Sequence, residues 1–282
     1  MRRRGFLLIF LISTSFQISI LAQFISTKGE QIIGPDGKNF LIRGTNLGNW
    51  LVPEGYMFKF KSATSPRLIN ETLAELVGPD ATKEFWKKWQ TNYISAGDIH
   101  YLKTLGMNSI RVPFNYRIFN DPDYLGGMGE EKAFELLDKL IGWCRSETIY
   151  IILDMHCAPS GQTGDNIDDS YGYPFLFDDP DAQDMTVNIW RKIADHYKNE
   201  PIVMGYDLLN EPIAHYFDTA HFNPLLEPLY KRLVSAIRES DQNHLIFLGG
   251  LNGIRTSGYL ALHSIISSCT LFINTGRQRH KK

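Results

Sequence analysis

Five short apolar runs, at residues 40–47, 107–112, 149–155, 203–209 and 245–248, punctuate the chain at intervals far longer than a hairpin allows. Each has the length and continuous apolar character of a strand buried on both faces. Between them lie stretches with helical periodicity and clear boundaries. Ser65 followed by Pro66 opens one, with proline at the first helical position. Asp98 opens another, which ends at Gly106. Further helices fit 130–145, 181–197 and 224–239. Strands alternating with helices predict a parallel sheet with right-handed crossovers. Ahead of the first run, QIIGPDGKNFLIRG reads as a β-hairpin, two apolar segments joined by a turn rich in Pro, Asp and Gly.

A doubly wound sheet and a (β/α)8 TIM barrel both fit this alternation. The turn after the first strand, GTNLGNW, lacks the G-x-G-x-x-G spacing of a dinucleotide-binding loop. Polar and aromatic residues gather instead at the C-terminal ends of the strands: Asn46, Trp50 and Glu54, then Arg111 and Asn115, then Asp154 and His156, then Asn210 and Glu211. Barrel enzymes assemble their sites from several strand ends on that face. The expected fold is therefore α/β, a (β/α)8 TIM barrel of which about five of eight β/α units are present, preceded by the hairpin.

Composition narrows the class without choosing the function. The chain has 282 residues, 43% hydrophobic and 12% aromatic, enough for a core that needs no metal or disulfide. Its three cysteines, Cys144, Cys157 and Cys269, form no framework and no C-x-x-C pair. A formal charge of −2 gives no reason to expect a nucleic-acid partner. The charge is uneven, however. Residues 1–22 hold three Arg and no acid, and 243–282 hold five Lys/Arg and no acid, leaving an acidic body between them. Arg2, Arg3 and Arg4, the apolar run GFLLIFLIS and the closing SILAQ describe a secretory signal peptide cut between Ala22 and Gln23. An N-terminal membrane anchor is the alternative, but Ser13, Thr14, Ser15 and Gln17 interrupt the run short of the ~20 apolar residues a span needs. The expectation is a secreted protein, extracellular or periplasmic, with no membrane association once the leader is cut.

The sharpest chemical signal is YDLLNEP, where Asn210, Glu211 and Pro212 follow an apolar strand directly. A carboxyl group at a strand mouth reaches a bound ligand, and an apolar setting favours the protonated form that a general acid needs. Asn210 beside it can bond a substrate hydroxyl. Arg111 is a charge inside the apolar strand NSIRVPF, so it should point to the mouth and pair with a carboxylate. Asp154 and His156, two apart, face one side of their strand. Two ligands do not make a metal site, and hydrogen bonding in a polar cleft is the better role for His156. Trp50, Tyr56, Phe58, Tyr171 and Tyr173 follow strand ends, where each either stacks on a sugar or packs at the rim.

Taken in order, RGTNLGNWLVPEGYMF, GMNSIRVPFNY, YIILDMHCAPSGQ and GYDLLNEP resemble successive strand ends of glycoside hydrolase family 5, nearest its exo-β-1,3-glucanase and cellulase-like branches. The resemblance spans about residues 28–250. It implies Glu211 as general acid/base, with Arg111, His156 and Asn210 as catalytic-site partners. Glu54, Asn46 and Trp50 are the implied substrate contacts, Glu54 toward a terminal sugar. It further implies a polysaccharide or oligosaccharide substrate, a monomer, and no metal or organic cofactor. That family is retaining, with two carboxyl groups about 5–5.5 Å apart. The family's nucleophile is a Glu at the seventh strand, yet this chain has no Asp or Glu after Asp241.

The tail can be tested as a displaced reading frame. Taking permitted codons for 251–276 and regrouping each codon's first two bases with the base before them gives AQWNSNFGLSGPPFDNKLVYTFHKYW, with degenerate third bases chosen freely. That peptide resembles the family's own continuation. The expectation is a frame shift near Gly250, so that 1–22 is a leader, 23–250 a partial barrel domain and 251–282 an aberrant tail; a divergent terminus is the alternative. Two function classes follow: a secreted retaining β-glycosidase, inactive as the chain stands for want of a nucleophile, or a barrel that binds glycans without cleaving them.

Overall fold

The computed structural model describes residues 24–250 and 270–273, so the expected leader, 1–22, and most of the expected aberrant tail, 251–282, lie outside the described residues. The hairpin comes first: β1 (Ser26–Lys28) pairs antiparallel with β2 (Gln31–Ile33). The ladder sits further toward the N-terminus than the sequence suggests. Pro35 has no N–H to donate, and beyond Ile33 the pairing is reduced to a single bridge to Asn39.

Next come β3 (Gly44–Asn46), a short α1 (Gly55–Phe58), α2 (Pro66–Val77), α3 (Pro79–Asn92) and α4 (Ala96–Thr104). These are followed by β4 (Ser109–Asn115), α5 (Arg117–Asn120), α6 (Glu130–Glu147), β5 (Tyr150–Cys157), α7 (Pro180–Tyr197), β6 (Val203–Asp207), α8 (Thr219–Arg238) and β7 (Leu245–Gly249). A last strand, β8 (Thr270–Ile273), closes the series. Strands β3 to β8 form one sheet in sequence order, and every neighbouring pair is parallel. This is an incomplete (β/α)8 barrel. Where the sequence shows five strands, the sheet has six, because Thr270–Ile273 pairs along Ile246–Gly249. The β7 edge is therefore covered by a strand, while β3 has a neighbour on one side only among the described residues, and its three residues are exposed.

Local chemistry explains most boundaries. Ser65 caps α2 by accepting the Leu68 N–H, with Pro66 at the first turn. Helix α4 starts earlier than Asp98: Ser95 is its N-cap, and Asp98 returns a bond to the Ser95 N–H, a capping box. Helix α8 likewise begins before Pro224, because Asp218 accepts the Ala220 N–H and the helix runs through Pro224 and Pro228. Helix α3, which carries Trp86, Trp89 and Gln90, is not among the helices that the sequence pattern predicts.

Alternation along the strands separates two cores. Val112, Phe114, Ile151, Leu153, Tyr206 and Leu248 join the large cluster under the helices. Ile152, Leu245 and Phe247 form a second cluster with Ile25 of the hairpin segment, with Ile32 and Phe40 packed against it. The hairpin thus plugs the end of the sheet opposite the strand C-termini. At that base, Asp241 and His244 are fully buried; Asp241 accepts from the Tyr206 hydroxyl at 2.7 Å and meets His244 Nδ1 at 2.6 Å. Cys144 and Cys157 are buried and unpaired; burial pushes the Cys144 thiol up to about 12.

Candidate active site

The C-terminal ends of the strands enclose a cavity of about 680 Å³ lined by Asn46, Glu54, Arg111, His156, Asn210 and Glu211, with Tyr56 and Asp207 among the further wall residues. Six of the seven residues that the sequence nominates therefore converge. Asn46 stands on the exposed edge strand, opposite Arg111 in register.

Arg111 organises the floor. Its Nε and Nη2 donate to one oxygen of Asp207 at 2.9 and 2.8 Å, and Nη2 also donates to the Asn210 side-chain oxygen at 3.0 Å. Its Nη1 lies 2.8 Å from Asp154 Oδ2. That same oxygen meets His156 Nδ1 at 2.7 Å. The ring closes where Asn210 Nδ2 stands 3.5 Å from His156 Nε2. Each link constrains the next. Because Asn210 Oδ1 accepts from Arg111, its amide N–H is turned toward the imidazole. With Nδ1 facing a carboxylate, Nε2 is the nitrogen turned to the cavity side.

Two carboxylates share this one guanidinium, and the arrangement is buried. Burial first, with Asp154 adding to it, raises Asp207 to about 7 against the pull of Arg111. Burial also opposes the charge on Arg111, yet Asp154 and Asp207 together raise its pKa. Asp154 Oδ1 is buried without a hydrogen-bond partner. Glu54, 8% exposed, is raised first by burial; His156 counteracts this, while the Glu211 charge adds to it. Tyr56 bonds to Glu54 and is itself exposed at the cavity wall.

The Asn-Glu-Pro turn is held in a conformation that it would not choose alone. Glu211 and Ile213 both take positive φ, 42° and 59°. Such non-glycine backbone costs of order 1–3 kcal/mol per residue and persists where the surroundings impose it. Here the imposing segment is the loop after β5. Gln162 donates to the Asn210 carbonyl at 2.8 Å and Thr163 Oγ1 to the Glu211 carbonyl at 2.8 Å. The N–H groups of Ile213 and Ala214 return bonds to the carbonyls of Gln162 and Thr163 at 2.8 and 2.9 Å.

One nominated residue is a correction. Trp50 is 2% exposed, and its indole N–H donates to the Gln90 carbonyl at 2.8 Å, so it belongs to the core and does not line the cavity. Large aromatic rings with a backbone acceptor in reach are held in cores as readily as at sugar sites. Phe58 likewise stacks on Phe60 and Trp89, and Tyr173 packs against Phe217 and Phe222. Conversely, Asp207, Gln162 and Thr163 went unnominated. The rule that flagged Arg111, a charge in an apolar strand, applies equally to Asp207. Gln162 and Thr163 carry no charge, and nothing in their spacing marks them. Among the described residues no group of three or more His, Cys, Asp or Glu is placed to hold a metal ion.

The chain is 32% identical over 228 residues to a β-xylosidase of Phanerodontia chrysosporium, covering 80% of this chain and 46% of that protein. It is 32% identical over 168 residues to endoglucanase C of Acetivibrio thermocellus, covering 60% of this chain and 46% of the relative. It thus spans about half the length of these curated relatives. In fold it superposes on the crystal structure of a rutinosidase from Aspergillus niger with a TM-score of 0.66 at 17% identity, covering 89% of this chain and 69% of that one. Residues 71–263 match the Cellulase family, and the chain belongs to glycosyl hydrolase family 5.

Proposed function

We propose that the protein descends from secreted retaining β-glycosidases that hydrolyse β-glucan-like polysaccharide, with Glu211 in the acid/base position and without turnover in the present sequence, which offers no Glu in the nucleophile's place. The observation that carries this reading is the closed ring of Arg111, Asp154, His156 and Asn210 beside the strained Glu211 turn. In the double displacement of such enzymes the acid/base, the role Glu211 is placed for, protonates the departing glycosidic oxygen while a second carboxylate, here assigned to no described residue, attacks the anomeric carbon. The acid/base then removes a proton from the water that releases the sugar. Asn210 and His156 present a donor and a ring nitrogen toward the sugar hydroxyls, and Glu54 with Tyr56 bounds the other wall. A glycan-binding barrel without turnover is the second reading, favoured by the lack of any Asp or Glu after Asp241 in this sequence.

Hydrolysis of aryl β-glucosides and laminarin, with product anomers followed by NMR, separates the two. In a full-length, frame-corrected version that carries the seventh-strand Glu, Glu211→Gln should retain sugar binding and lose turnover by roughly 10²–10⁴-fold, the usual contribution of a positioned acid/base. The loss should shrink for good leaving groups, which need little protonation. Normal polysaccharide turnover by Glu211→Gln refutes the assignment, and sugar binding without turnover even in the version that carries the seventh-strand Glu selects the second reading. For export, N-terminal sequencing of secreted material should begin at Gln23.

A further inference from the structure

Helices α2 and α3 pack side by side, and Asn70 of α2 joins them. Asn70 is followed by Glu71 and Thr72, and it is the one asparagine of the chain with a Ser or Thr two places on. Asn-x-Thr, with x other than proline, is the tripeptide that accepts an N-linked oligosaccharide on its asparagine. In sequence alone the tripeptide decides little, because a side chain wholly committed to the fold leaves a sugar no room.

The two halves of the Asn70 carboxamide do different things. Oδ1 accepts the indole N–H of Trp86 at 2.9 Å, and Trp86 is fully buried in the core. An indole N–H only donates, so it is the amide oxygen that faces α3. Nδ2 is thereby turned away from Trp86. Among the described residues it makes no hydrogen bond, and it is not enclosed. Arg67 Nε, less than one turn earlier on α2, is the contrasting case of a nitrogen both unpartnered and buried. Space lies beside the amide as well. Asn70 is only half-buried and Glu71 is exposed, and both line a cavity of about 730 Å³ between α2, the segment after β4 and the loop after β5.

We infer that Asn70 is an N-glycosylation site, carrying one oligosaccharide on the exposed side of α2. Its Nδ2 attacks C1 of the first sugar of a lipid-diphosphate-linked oligosaccharide. The Nδ2–C1 bond forms and the bond from C1 to the phosphate oxygen breaks. The lipid diphosphate leaves with that electron pair, and Nδ2 gives up one proton. The product is still an amide, so Oδ1 goes on accepting from Trp86 and the α2–α3 junction needs no rearrangement. The inference rests on the export reading of residues 1–22, since the sugar donor is met in a secretory lumen.

The full chain is translated in vitro with microsomes that carry the oligosaccharide transferase, and protease protection reports import separately from the glycan. The parent chain should be protected and should migrate heavier by one glycan, a shift that peptide N-glycosidase F removes. Mass spectrometry after that enzyme should find Asn70, and no other asparagine, deamidated. Thr72→Ala should abolish the shift although the bond between Asn70 and Trp86 is untouched, and Thr72→Ser should restore most of it. Asn70→Gln should also abolish it, but that change alters the Trp86 contact, so the Thr72 pair is decisive. If Asn70 serves only to hold Trp86, no shift appears in any of these chains. A protected parent chain without the glycan, or a glycan that survives Thr72→Ala, overturns the inference and leaves the export reading standing. Failure of import overturns the export reading instead. In that case residues 23–282 behind a leader of known function settle Asn70 by itself, a glycan there supporting the site and its absence overturning it.

Discussion

Two aspartate–histidine pairs sit at opposite ends of the same sheet and use one chemistry for different ends. At the base, His244 Nδ1 meets Asp241 at 2.6 Å; at the mouth, His156 Nδ1 meets Asp154 at 2.7 Å. The base pair is closed. Its histidine spends Nε2 on the Glu200 carbonyl at 3.0 Å, and its aspartate also takes the Tyr206 hydroxyl and two backbone N–H groups. The mouth pair is bonded less completely: Nε2 meets the Asn210 amide at a long 3.5 Å, and Asp154 Oδ1 has no partner. A buried network with every group satisfied fastens a fold, while one with a group held in reserve is arranged for a visitor.

The largest expected effect is at the base. Asp241→Ala strands a buried histidine and the Tyr206 hydroxyl, and it should cost about 3–5 kcal/mol of stability, as breaking a buried pair does. Chemical denaturation measures this; a loss below about 1 kcal/mol would show that the base is not the fastening it resembles. The mouth should respond differently. Asp154→Asn leaves Arg111 paired with Asp207, so stability should fall by only about 0.5–1.5 kcal/mol. The His156 ring loses the carboxylate that orients it, and affinity for a glucose-type imino sugar should drop roughly tenfold, equivalent to ~1.4 kcal/mol. If Asp154→Asn costs as much stability as Asp241→Ala and leaves the affinity unchanged, the mouth pair is structural and the contrast fails.

The contrast also shows how far the sequence alone could carry the reading. The strand–helix alternation and the residues at strand ends were legible because period and position are local properties: Arg111, His156, Asn210 and Glu211 all arrive where their strands deliver them. Trp50 is not legible in the same way, because an aromatic after a strand looks the same in sequence whether it meets solvent or, as here, α3. Gln162 and Thr163 were invisible because their work is to bond backbone carbonyls some fifty residues away, a contact only the fold creates. The edge strand also ran shorter than its apolar pattern. Leu41 is 69% exposed and Ile42 37%, so apolar character alone could not show that this run had no neighbour on one side among the described residues.

The smallest effect concerns pH, and here the two ends should pull in opposite directions. Asp241 is opposed by burial but held below the ordinary carboxylate range by its bond and charge interaction with His244. Its contribution to stability is complete above that range and is lost as pH falls beneath it. Asp207 behaves inversely. Burial, with Asp154 beside it, lifts its pKa to about 7 in spite of Arg111. The folded chain therefore holds a proton that the unfolded chain releases near pH ~4. Its contribution is greatest below pH ~4 and declines as pH rises toward about 7. In Asp207→Asn the decline in melting temperature between pH 5 and 7.5 should shrink, because the proton that the folded chain holds there is gone. The acid limb set by Asp241 should stay in place, since that residue is untouched at the other end of the sheet. Melting curves for the parent chain and Asp207→Asn across pH 2.5 to 8 give both limbs in one series. An unchanged decline above pH ~4 would mean that Arg111 keeps Asp207 ionised throughout, and the mouth would then be as firmly settled as the base.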